Sequence, residues 1–198
     1  MRTFLIIGHE APTTAEFSLD DIPGAGRLDV LCRSVVSGLL LSHGIREDTR
    51  VVVVLDDTYT LRFDGETLRQ FHPDERSTAA RIRSALDQRE EAVGHMEVET
   101  SPGVYLSRLG LDETLSSLES EGTLLQLHDQ GTPVAAFDPP ENPIFVLSDD
   151  QDIRDDEQQL LDELNAESIS LGPERLHADQ AITVAHNWLD TDGYESYG

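Results

Sequence analysis

Short runs of β-branched and other apolar residues alternate with stretches whose apolar positions recur every three to four residues. That alternation leaves few architectures open. Residues 51–55 (VVVVL) are continuously apolar, which predicts a strand buried on both faces. Residues 3–7 predict a first strand. Between 28 and 42, Leu31, Val35 and Leu39 and then Cys32, Val36 and Leu40 keep helical spacing, with Gly44 as a stop. Pro73-Asp74-Glu75 opens a helix that runs to about Gln88. The second half repeats the pattern, with strands at 104–107, 124–127, 144–147 and 168–171 and helices at 113–118, 156–164 and 179–189. The expected fold class is α/β, a mostly parallel sheet with helices on both faces. Asp64-Gly65 between 59–63 and 66–71 predicts a hairpin. The stretch 89–102 reads as polar and irregular, and 191–198 as a loose polar tail.

Charge narrows the setting. The chain of 198 residues, enough for one domain, carries 39 Asp and Glu against 14 basic residues, and all 14 are arginine. A carboxylate-rich, lysine-free surface suits molar salt, where the screening length falls to about 3 Å and a net charge of −25 costs the fold little. The charge is uneven: residues 1–108 hold 12 arginines and 18 acids, a net of −6, while residues 109–198 hold 2 and 21, a net of −19. Contacts to a polyanion would therefore fall to the first half.

Several sites are excluded. No apolar stretch approaches the roughly 20 residues that span a bilayer, and the short apolar N-terminus reads as a strand, not a signal peptide. Cys32 is the lone cysteine, so no intrachain disulfide forms; it reads as a core residue in a reducing compartment. A phosphate-binding P-loop needs a lysine that the chain lacks. Gly24-Ala25-Gly26 begins like a dinucleotide fingerprint, but Asp29 stands where the third glycine belongs. No histidine or cysteine pair has zinc spacing, and Asp149-Asp150-Gln151-Asp152 lacks the glycine and glutamate of a calcium loop, so no metal is expected.

Two clusters remain. Asp29 and Arg33 are four apart at a helix start, with Arg27 just before them; this is either an i,i+4 ion pair or a reactive group. Residues 170–179 leave a strand, turn at Gly172-Pro173 and enter a helix capped by Asp179. Such a loop exposes backbone groups that can bind a planar base, or it is an ordinary connection. His9 suits a pocket, a cap or the core equally.

Taken in order, Gly8-His9-Glu10-Ala11-Pro12-Thr13, the segment from Pro23 to Arg33, Pro73-Asp74-Glu75-Arg76, Phe145-Val146-Leu147-Ser148-Asp149, Ser170-Leu171-Gly172-Pro173 and the segment from Ala181 to Asn187 resemble the archaeal tRNA (pseudouridine(54)-N(1))-methyltransferase family of the SPOUT superfamily. The resemblance covers about residues 2 to 190. It implies one SPOUT domain over 1–190 with a C-terminal trefoil knot, ahead of the 191–198 tail. It implies S-adenosylmethionine bound bent among the knot loops by Leu125, Leu127, Leu147, Ser148, Leu171, Gly172, Pro173, Glu174, Arg175, Leu176 and Ala181. Ser148 stands where the family commonly has glycine. A cytoplasmic homodimer acting on the T-loop of tRNA is likewise implied. Asp29 is the candidate base for N1 of pseudouridine, with Arg27 and Arg33 holding phosphates or the carbonyls of a flipped base. The alternatives are another RNA substrate, such as ribosomal pseudouridine, or a non-catalytic RNA-binding module.

Overall fold

The computed structural model describes residues 1–197; the last tail residue, Gly198, lies outside the described residues. Its main sheet holds β1 (Arg2–Gly8), β4 (Thr49–Leu55), β5 (Tyr59–Asp64), β6 (Val98–Ser101), β7 (Val104–Ser107), β8 (Thr123–Pro133), β9 (Pro143–Ser148) and β10 (Glu167–Ser170). Two short strands, β2 (Leu40–Leu41) and β3 (Gly44–Ile45), pair apart from it. The order is β10-β8-β9-β1-β4-β5-β7-β6. The five strands from β10 to β4 run parallel, and β5, β7 and β6 add antiparallel neighbours at one side.

Helices cover both faces, as the alternation predicts. On one face, α1 (Leu28–Leu39), α2 (Glu75–Asp87) and α5 (Ala178–Asp190) pack over Phe4, Ile6, Val51, Val53 and Leu55. On the other, α3 (Leu111–Glu119) and α4 (Asp155–Glu163) pack over Leu5, Ile7, Val52 and Val54. The unbroken apolar run at 51–55 therefore does what its sequence requires, feeding both layers from a central strand.

Four local expectations are corrected. The hairpin is β4–β5, turned by Asp56 and Asp57 with φ of 45° and 46°, a left-handed conformation that aspartate tolerates. Asp64-Gly65 instead turns the chain out of the sheet. A Cβ on Gly65 would lie 2.0 Å from the Arg46 carbonyl oxygen, so this glycine serves close backbone packing. Leu68 and Phe71 then enter the core from a loop. Within 89–102, a 3-10 turn at Arg89–Glu91 precedes β6, an edge strand too short and polar to show alternation. Asp179 does not cap α5: His177 stands at that position, its backbone N–H donating to Gln180 Oε1 at 3.1 Å. In the tail, Thr191 is buried, its hydroxyl donating to the Asn187 carbonyl, and Tyr194 packs on the core. Among the described residues, no helix is long and apolar enough to cross a membrane.

One irregularity shapes the site. In the β10–β8 ladder, Ser168 pairs with Gln126 but Ile169 pairs with Thr132. Residues 127–131 are thereby looped out beside the carboxyl ends of the parallel strands, where open α/β sheets place their ligand crevices.

Candidate active site

A cleft of about 800 Å³ opens at that end of the sheet. Leu127 comes from the looped-out part of β8, Leu147 and Ser148 from the end of β9, and Leu171 to Leu176 from the connection that leaves β10. Of the eleven residues expected here, Leu127, Leu147, Ser148, Leu171, Gly172, Glu174, Arg175, Leu176 and Ala181 line the cleft. Leu125 is instead a core residue, 2% exposed and paired with Phe145. Pro173 is exposed and lies outside the lining. Beside Gly172 nothing lies within 4 Å of an added Cβ, so the backbone there borders open space.

Sequence reasoning missed the opposite wall. His128 and Asp129 reach the cleft through the β8 irregularity, and Ile153 and Gln158 through α4 and the chain entering it. The Gln158 and Gln126 side chains exchange hydrogen bonds of 2.7 and 3.2 Å beneath this wall. Nothing in the sequence announces such a register shift, because it depends on which strand lies alongside. Asp149, Asp150 and Asp152, discounted as a calcium loop, form the acidic side of the same cleft.

The first cluster adjoins it. Gly26 and Arg27 both have left-handed backbone, φ 56° and 55°, and a Cβ on Gly26 would fall 1.7 Å from the Glu10 carbonyl oxygen. Only glycine makes that turn. The turn lays the Arg27 guanidinium back on Asp29, with Nε to Oδ1 at 3.0 Å and Nη2 to Oδ2 at 3.2 Å. Arg33 Nη1 reaches the same carboxylate at 2.8 Å and Glu75 at 3.3 Å, while its Nε lies 3.9 Å from Asp179. Asp29 is buried; burial alone would raise its pKa, but the hydrogen bonds from Arg27 and Arg33 outweigh that and hold it below the usual carboxylate range. Arg27 also donates to Asp150 at 2.8 Å, joining this cluster to the cleft wall. The three residues singled out from the sequence are thus one contiguous ion-pair group at the cleft's edge.

The fold places the chain in a class. It superposes on the crystal structure of Archaeoglobus fulgidus Nep1 bound to S-adenosylhomocysteine, with a TM-score of 0.63 over 94% of both chains at 12% identity, and so shares the fold of that protein. The sequence profile of the family described as "Putative SAM-dependent RNA methyltransferase" matches residues 1–194. The chain belongs to that family of RNA methyltransferases. Proteins named tRNA (pseudouridine(54)-N(1))-methyltransferase share 60% identity in Haloarcula marismortui and 59% in Haloferax volcanii, each over the whole of both chains. The one in Methanococcoides burtonii shares 40% over 96% of each.

Proposed function

We propose that this protein transfers a methyl group from S-adenosylmethionine to N1 of pseudouridine 54 in the T-loop of tRNA. The observation that carries the reading is the Arg27–Asp150 contact, which sets the Asp29–Arg33 group against the rim of the cleft. The residues present suit the donor. Leu127, Leu147, Leu171 and Leu176 offer apolar walls for a purine, the open flank of Gly172 admits close backbone contact, and Asp150 and Asp152 suit hydroxyls and positive charge. Ser148, in the place of the usual family glycine, lines the cleft.

When bound, the donor supplies an electrophilic sulfonium methyl group. What remains for the protein is placement, because a nucleophile held about 3 Å away in line needs little further activation. N1 of pseudouridine carries a hydrogen that must leave before its lone pair is free. Asp29 is the acceptor for that hydrogen, and Arg27 and Arg33 hold it in place while offering outward N–H groups to phosphate or uracil carbonyls. With two guanidiniums attached, Asp29 is a weak base: it takes the N1 proton as the N–CH3 bond forms and then releases it to solvent.

Residues 1–190 act in this reading as one catalytic domain, against which Thr191 and Tyr194 also pack. A trefoil knot fits the looped-out 127–131 segment and the seat of α5 beneath the sheet, where Trp188 meets Phe145. A homodimer would bring a second chain to the tRNA, and the cytoplasm is where that substrate is found. Incubating the protein with donor and a pseudouridine-containing T-arm oligonucleotide in molar KCl should yield 1-methylpseudouridine by mass spectrometry. A product at another base, or none, would refute the assignment.

A further inference from the structure

His9 follows β1 and is shut away from solvent, its side chain 0% exposed. Its Nδ1 lies 2.8 Å from Asp149 Oδ1, its Nε2 lies 3.0 Å from Glu157 Oε2, and its backbone N–H donates to Asp149 Oδ2 at 2.8 Å. A neutral imidazole has one N–H and would turn a lone pair towards one of these carboxylates; an imidazolium donates to both. The ring therefore joins three elements: the end of β1, the exit from β9 and the first turn of α4.

Each carboxylate passes the restraint on. Asp149 Oδ1 also accepts the Gln151 N–H at 2.9 Å, and Glu157 Oε2 accepts the Arg154 N–H at 2.7 Å. Between those anchors lie Asp150, Gln151, Asp152 and Ile153, which line the cleft, and Asp150 is the residue that holds Arg27.

We propose that His9 is a positioning residue for the donor cleft, clamping Asp149 and Glu157 so that the 150–153 wall keeps the shape that receives the donor. The inference rests on the donor-cleft reading above. Among the described residues, Asp149 from the β9 exit and Glu157 from α4 are the charged groups within ion-pair distance of the ring. The hydrogen bond that His9 donates to Asp149 raises the histidine pKa above the ordinary 6.5, outweighing burial, and Glu157 adds to the rise. A raised histidine pKa means that the clamp is fully formed below 6.5 and is lost as pH climbs through the raised value.

Calorimetry with S-adenosylhomocysteine in molar KCl, run from about pH 6 upward across the histidine range, tests this. The ligand's own amine titrates identically against every variant, so differences between proteins are the readout. The wild-type affinity should fall as pH rises. In Glu157→Gln, which keeps the ring but removes one carboxylate, that fall should move to lower pH. His9→Gln should bind roughly tenfold or more weakly near neutrality, the worth of one charge-assisted hydrogen bond, and should lose the pH-dependent difference. Circular dichroism checks folding; if His9→Gln does not fold, Glu157→Gln alone decides. Profiles for the variants that match wild type overturn the clamp. Absence of wild-type binding at every pH overturns the donor-cleft reading itself.

Discussion

Asp29 receives two arginines on one carboxylate, and that pairing sets what its removal should do. Asparagine keeps one carbonyl acceptor but loses the charge. Single-turnover methyl transfer by Asp29→Asn, with both ligands saturating, should slow by about tenfold to a hundredfold, at or below the 10²–10⁴ typical of a full general base. S-adenosylhomocysteine affinity should stay within about twofold, a change worth less than one ordinary hydrogen bond. A wild-type rate would leave Asp29 a helix-start ion-pair partner only. Because its pKa is lowered, its charged form persists as pH falls through the usual carboxylate range and is lost only below it. The Asp29–Arg33 pair was legible from i,i+4 spacing; Arg27 was singled out beside it, but its ion pair with Asp29 was not legible, since only a left-handed residue folds it back. Histidines were less legible still. His186, with Nε2 donating to the Gly38 carbonyl and Arg2 donating to Nδ1, is pushed down to about 4 chiefly by burial and stays neutral. His9, equally buried, meets two carboxylates and is driven the other way. Burial reads from sequence; the partners that decide charge come from the exit of β9 and the first turn of α4, 140 and 148 residues away, beyond any local pattern.

At the scale of elements, the connection from β10 to α5 carries the sharpest expectation. Gly172 borders open space, and its backbone is not in the left-handed region. A bulky residue there should fold normally and project into the cleft. Gly172→Phe should leave the melting temperature within a few degrees of wild type, because exposed substitutions rarely exceed about 0.5 kcal/mol. It should weaken S-adenosylhomocysteine at least tenfold by calorimetry; unchanged affinity would move the donor elsewhere. This connection was legible because Gly-Pro after an apolar strand marks an exit from the sheet. Its counterpart in β8 was not. Leu124 and Leu125 read as strand, but the ladder they join resumes at Thr132, and only the neighbouring β10 shows the five-residue excursion between. Asp64-Gly65 shows the converse. The turn signal was sound, yet tertiary packing against Arg46 decided that the chain after it would not pair.

For the whole molecule, charge dominates. Among the described residues, nine arginines lie within 4.0 Å of a carboxylate, so most of the 39 acids have no cationic partner. Their mutual repulsion reaches about 30 Å in 0.01 M salt and about 3 Å in 1 M. Thermal stability and methyl transfer should both rise from dilute buffer to molar KCl, as differential scanning fluorimetry and the T-arm assay would register. Full stability in dilute buffer would remove the case for a salt-adapted surface. The lysine-free composition made that legible, and the layered α/β class followed from periodicity, whereas the order of strands did not. That order has a consequence for the chain while it is being made. β1 leaves the ribosome long before β9, yet β9 is one of its two neighbours. At roughly 5–20 residues per second, the partner for that edge emerges about 7 to 30 seconds later. Throughout that interval a nascent apolar edge stands unpaired beside growing polypeptide, so the edge must be guarded before its partner exists.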